Sequence, residues 1–131
     1  MLKDAFVAGN VNLVNKRAKF LNQAITEFPM GTLTASDHML WMKHYDALIK
    51  TTSMIALSKK IESQRGKFEV LSDHLFAIMK VIKPSMAVYQ QHCPMYHDGK
   101  GADWISKESG IKNPYYGSMM LSCGSVKEIL K

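Results

Sequence analysis

Apolar side chains recur at helical spacing over the first two thirds of the chain. Between Val11 and about Phe28 they fall at Val14, Ala18, Leu21 and Ile25, with Leu13 and Phe20 widening the stripe, and this predicts an amphipathic helix. Leu2 to Ala8 reads as the end of an earlier helix, broken at Gly9-Asn10, where glycine suits the position after a helix and asparagine the cap of the next. Pro29, Gly31 and the threonines that follow predict a loop. A second long helix is predicted after a Ser36 cap and runs to about Lys60, with Leu40, Trp41, His44, Leu48, Thr51 and Ile55 on one side. After Ser63, a third carries the cleanest stripe, Phe68, Leu71, Leu75, Ile78, Met79 and Ile82, and stops before Pro84.

The texture changes at Pro84. Gly99, Gly101, Gly110, Gly117 and Gly124, with Pro94 and Pro114, exclude another long helix. Ala87-Val88-Tyr89 reads as extended, Ala102 to Ser106 as one helical turn, and Ser125 as the cap of a short terminal helix through Leu130. The predicted fold class is all-α: an antiparallel three- to four-helix bundle over residues 1–83, with an irregular Gly/Pro-containing tail, 84–131, docked on it as part of one domain. Trp104, Ile111, Tyr115, Tyr116 and Leu121 are the expected anchors of that tail.

Charge changes this picture little. The net charge of +6 comes from lysines dispersed along the chain, with no basic block or aromatic-basic motif, so a nucleic-acid partner is not expected. No apolar run approaches the roughly 20 residues that insertion across a bilayer requires. The start carries no leader-like run, since Lys3-Asp4 is soon followed by Gly9-Asn10, yet it reads as a helix already under way, which predicts a trimmed mature form.

The candidate chemistry lies in the tail. Both cysteines are there, in Gln91-His92-Cys93-Pro94-Met95-Tyr96-His97 and in Met119-Met120-Leu121-Ser122-Cys123-Gly124. Cys93, Met95, Met120 and Cys123, with His92 or His97 as a further donor, form a soft or borderline set suited to copper(I), or, with two cysteines and two histidines, to tetrahedral zinc. Pro94 stiffens the segment between the first thiol and its thioether. The competing reading has no metal: a Cys93–Cys123 disulfide staples the tail into a protein-interaction module and contributes about 3 kcal/mol. One molecule cannot do both, because the bridge consumes the thiolates. His38, Met39, Met42 and His44 form a weaker donor group, since methionine at helical spacing more often fills a core. His74 reads as a surface or boundary residue. Arg65 reads as a clamp on tail carboxylate or carbonyl groups. Catalysis is not expected: adjacency of Cys93 to His92 is poor evidence for a nucleophile and its base, and neither a phosphate loop nor a zinc-protease helix motif is present.

The segments Gln64-Arg65-Gly66-Lys67-Phe68-Glu69-Val70-Leu71-Ser72, Val88-Tyr89-Gln90-Gln91-His92-Cys93-Pro94-Met95, Ala102-Asp103-Trp104-Ile105-Ser106, Ile111-Lys112-Asn113-Pro114-Tyr115-Tyr116-Gly117 and Met120-Leu121-Ser122-Cys123-Gly124 occur in that order. Together they resemble the DUF3347 family of bacterial extracytoplasmic domains, and the resemblance extends over nearly the whole chain. Members stand alone or are fused to periplasmic adaptor subunits of heavy-metal efflux systems. The resemblance therefore implies a periplasmic location, a link to copper or related cations, and an efflux adaptor or another periplasmic protein as partner. Trp104 and the Asn113-Pro114-Tyr115-Tyr116-Gly117 turn, with Arg65, are expected to bring Cys123 back towards Cys93.

Overall fold

A computed structural model describes residues 1–131. Four helices, α1 (Leu2–Ala8), α2 (Val11–Thr26), α3 (Ala35–Leu57) and α4 (Ile61–Met79), precede three strands, β1 (Val88–Cys93), β2 (Ala102–Ser106) and β3 (Ser125–Leu130). The strands form an antiparallel sheet in the order β2-β1-β3. The all-α expectation is therefore overturned: the fold is mixed, with a four-helix N-terminal region followed by a sheet. None of the helices is long and apolar enough to cross a membrane.

The helical half follows local rules. α1 ends on Gly9 at φ 68°, a left-handed conformation that costs glycine nothing, and Asn10 Oδ1 accepts from Leu13 N at 3.0 Å to cap α2. Val14, Ala18 and Ile25 are the buried stripe of α2. α3 begins one residue after Thr34, whose hydroxyl, rather than that of Ser36, accepts from Asp37 N. α4 begins at Ile61 with no side-chain cap, two residues before the Ser63 expected to provide one. Polar side chains fix the helix contacts: Asn22 donates to Ile49 O and Thr52 Oγ1, while Asn15 and Gln64 both donate to the carbonyls of Ile55 and Ser58 at the end of α3. Phe28 stacks on Trp41 with ring centroids 4.3 Å apart.

Ala102–Ser106 and Ser125–Leu130, read from sequence as a helical turn and a capped helix, are both strands because β1 supplies both with backbone partners. Tyr89 pairs with Ser106 and Cys93 with Ala102 on one side; Val88 pairs with Leu130 and His92 with Ser125 on the other. Each segment is only five or six residues long, so its conformation is decided by distant pairing and not by local propensity. Val88, Ile105 and Leu130 pack against Leu75, Phe76 and Met79 of α4. The opposite face, with Gln91, Cys93, Ala102 and Trp104, is covered by the returning residues 107–124. Gln91 Nε2 donates to the carbonyls of Glu108 and Ser109, and the Gly124 backbone passes close over the Trp104 ring. Sheet and helices share one core, in which Phe6, Leu71, Trp104 and Tyr115 are all buried.

Arg65 of α4 ties three parts together. Its Nε donates to Pro114 O at 2.9 Å and its Nη2 to Phe6 O at 3.2 Å, joining α4 to the end of α1 and to the loop over the sheet. Burial pushes its pKa down from the usual value, against the opposing pull of Glu62 and then Tyr96. Charged donors on carbonyls contribute about 1.5–3 kcal/mol each, so Arg65→Ala is expected to lower unfolding stability by about 2–4 kcal/mol. Arg65→Lys should recover little of it, because an ammonium cannot reproduce the planar fork. Urea denaturation of the three proteins measures this.

A second tie joins α3 to α4, where His44 Nδ1 and His74 Nδ1 lie 2.8 Å apart. Burial first, then His74, then Lys43 hold the His44 pKa below its ordinary value of 6.5. The folded state thus binds fewer protons than the unfolded one. This contribution to stability is intact above pH 6.5, declines as the pH falls below it, and levels off beneath the lower folded-state value. The urea midpoint is expected to fall more between pH 7.5 and 5.5 for the native chain than for His74→Gln; equal falls would show that the pair does not couple to pH.

Candidate functional site

The hairpin between β1 and β2 and the segment ahead of β3 carry the donors singled out in the sequence. The hairpin loop turns through consecutive left-handed residues, His97 (φ 59°), Asp98 (φ 55°) and Gly99 (φ 83°). Two of these are not glycine, and the conformation costs each roughly 1–2 kcal/mol. External contacts hold the loop: His97 Nδ1 meets Glu69 Oε2 of α4 at 3.0 Å, Tyr96 stacks on Tyr115 at 4.4 Å, and Tyr116 Oη donates to Met95 O.

Strand geometry separates His92 from Cys93. Successive side chains point to opposite faces of a sheet. His92 joins Gln90 and Asp103 on one face, with His92 Nδ1 2.5 Å from Asp103 Oδ1 and Gln90 Nε2 2.7 Å from Asp103 Oδ2. Lys127 completes that cluster at 3.3 Å from Asp103 Oδ2. Cys93 lies on the other face and is fully buried. A nucleophile–base pairing of Cys93 with His92 therefore has no geometric basis here. The sequence did not reveal Asp103 and Glu69 as the partners of His92 and His97. The His92–Asp103 pairing depends on strand register, and the other on how the hairpin lies against α4.

Asn113 sets the path of the returning segment. It is fully buried; its Oδ1 accepts from Tyr115 N and Tyr116 N, its backbone N–H donates to Leu121 O, and its Nδ2 donates to Cys123 O at 2.8 Å. Tyr115 Oη donates to Asp103 O at 2.5 Å, and burial raises its pKa well above the usual 10. Two glycines permit the close passages. At Gly117 (φ 59°) a Cβ would come within 3.0 Å of Val7 O, and at Gly124 (φ 142°) within 2.8 Å of His92 O. Leu121, expected among the anchors, is instead largely exposed; its backbone carbonyl does the anchoring. Trp104 and Tyr115 are buried, and Ile111 and Tyr116 pack against the core.

These constraints bring Cys123 to Cys93. Both are free thiols, Cys93 inside the core and Cys123 partly exposed against it. Desolvation raises the Cys123 pKa, followed by the charge of the neighbouring Cys93 thiol. Nowhere do three or more His, Cys, Asp or Glu side chains converge, and His92 and His97 are engaged by carboxylates. Met95 and Met120 are exposed. In the weaker donor group, Met39 and Met42 are exposed and fill no core, while His44 meets His74, which lay outside that group.

The DUF3347 family, described as a protein of unknown function, matches residues 1–87 and stops just before β1. No curated protein and no solved structure matches the chain.

Asn113→Ala is expected to release the loop that carries Cys123. Thiol titration of the reduced native protein should show Cys123 reacting first and Cys93 slowly, and the variant should expose Cys93 at least about tenfold faster, since removing a partner from several buried groups costs about 1–3 kcal/mol for each one left unsatisfied. Unchanged Cys93 kinetics would show that Asn113 does not hold this path.

Proposed function

The chain belongs to the DUF3347 family, and we propose that this member is an extracytoplasmic soft-metal binding protein whose Cys93–Cys123 pair takes copper(I). The observation that carries the reading is the meeting of two unbridged thiols, one buried and one partly open to solvent, at the end of a loop shaped by many buried contacts. Two thiolates satisfy Cu(I) without further protein ligands, whereas structural zinc asks for four nitrogen or sulfur donors. The engagement of His92 by Asp103 and of His97 by Glu69 thus favours Cu(I) over zinc. Met95 and Met120, exposed on the segments that carry the two cysteines, are the thioethers available to assist. Binding displaces thiol protons, and the preset path of the loop limits the ordering entropy that complex formation would otherwise cost.

Location outside the cytoplasm and service to an efflux adaptor belong to the same proposal and are supported by the family resemblance. A second reading rests on the same contact: in an oxidising compartment two adjacent thiols can close into a disulfide, making the tail a stapled docking surface for a protein partner.

Competition for Cu(I) against a colorimetric chelator separates the readings. The reduced chain is expected to bind one equivalent, and the Cys93→Ser/Cys123→Ser variant to bind more than about 100-fold more weakly. A double variant that competes as well as the native chain would sink the copper site. Protein isolated without reductant that shows no free thiols, and that stays unable to compete after reduction, would establish the staple instead.

A further inference from the structure

His44 and His74 differ from the other histidines with resolved partners. His92 and His97 each face a carboxylate, whereas these two face one another and have no acidic group within ion-pair distance. They project from neighbouring helices, and both are partly buried, so the rings are held in place while one side stays open to water. The facing atoms are the same nitrogen on each ring, Nδ1, at 2.8 Å, with ring planes inclined at 65° and centroids 5.1 Å apart.

We propose that His44 and His74 form a divalent-metal site for Cu(II) or Ni(II), with water completing a square-planar or tetragonal sphere. The distance carries the choice of metal. With metal–imidazole bonds of about 2.0–2.1 Å, adjacent donors at a right angle stand about 2.9 Å apart, while tetrahedral donors stand about 3.3 Å apart. The observed 2.8 Å is close to the first arrangement, which Cu(II) and Ni(II) favour with nitrogen and oxygen donors. For both Nδ1 atoms to present a lone pair, the proton held between them moves through water to the Nε2 of the ring that carried it. The rings then turn to aim both lone pairs at the metal with their nitrogens near the present separation, and the helices on either side hold them there.

The site also sits where a crosslink acts strongly. His44 and His74 lie 13 residues before Leu57 and 13 after Ile61, the two ends that flank the α3–α4 connection. A metal bridging them crosslinks this helical hairpin well away from its connection, so binding should stabilise the folded chain. The inference is independent of the proposed copper(I) role of Cys93 and Cys123, which are replaced in its principal test.

In the Cys93→Ser/Cys123→Ser background at pH 7.5, Cu(II) is expected to bind at one equivalent with an electron paramagnetic resonance spectrum showing two coordinated nitrogens, and to raise the melting temperature by several degrees. His44→Gln and His74→Gln, each checked for native helix content by circular dichroism, should lose the two-nitrogen spectrum and the melting shift. Ni(II) added to the reduced native chain should raise its melting temperature in the same way, with the shift lost on either substitution. A two-nitrogen spectrum that survives in both glutamine variants, or an absence of Cu(II) binding by the folded parent, would overturn the assignment. Single-nitrogen binding at the exposed His97 would count against it too.

Discussion

The guanidinium of Arg65 is the constraint on which the join between the two halves depends. Helical packing alone leaves α1, only seven residues long, with little to fix its end. The two donors of Arg65 give the carbonyls of Phe6 and Pro114 a common partner, so the end of α1 and the loop over the sheet are positioned by one rigid planar group. Gly117 then passes close to both that guanidinium and the Val7 carbonyl, where a side chain would intrude. Once the loop is held there, Asn113 can reach Cys123 O, and β3 begins in register beside His92. The thiol contact is thus the far end of a chain of placements that starts on α4.

The helices were legible because their information is local. Val14, Ala18 and Ile25 repeat at helical spacing, Gly9-Asn10 marks a boundary with its own hydrogen bond, and Pro84 lies beyond the end of α4. The sheet was not legible for the opposite reason. Strands covered on both faces lose the alternation of apolar and polar positions: Gln90 and Gln91 are both buried, as are Trp104, Ile105 and Ser106. β3 fails differently, since five of its six residues are exposed and its conformation rests on backbone pairing with a strand more than thirty residues earlier. A Ser125 that could cap a helix is overruled by that pairing.

The same distinction explains which donors came together. That Cys123 returns to Cys93 could be suspected from the Pro- and Gly-bearing segment between them, because a turn-rich stretch ahead of a second cysteine reads as a return path. The separation of His92 from Cys93 could not be read without knowing that the segment is a strand. On a helix or in a loop, adjacent residues can serve one centre; on a strand they face apart. Because Val88–Cys93 is a strand, the His92 imidazole faces away from the thiol pair.

The molecule thereby holds two close side-chain pairs of different character in two different settings. The nitrogen pair lies within residues 1–87, the part that defines family membership, on helices whose spacing is set by their own packing. The sulfur pair lies wholly beyond it, and its geometry is inherited through Arg65, Asn113 and the close passages at Gly117 and Gly124. A helix-borne pair needs little beyond two adjacent helices, whereas the sulfur pair exists only if the whole path over the sheet is built. Damage to that path should therefore dismantle the thiol contact before it disturbs the histidines, because the contacts between α3 and α4 make no use of the sheet.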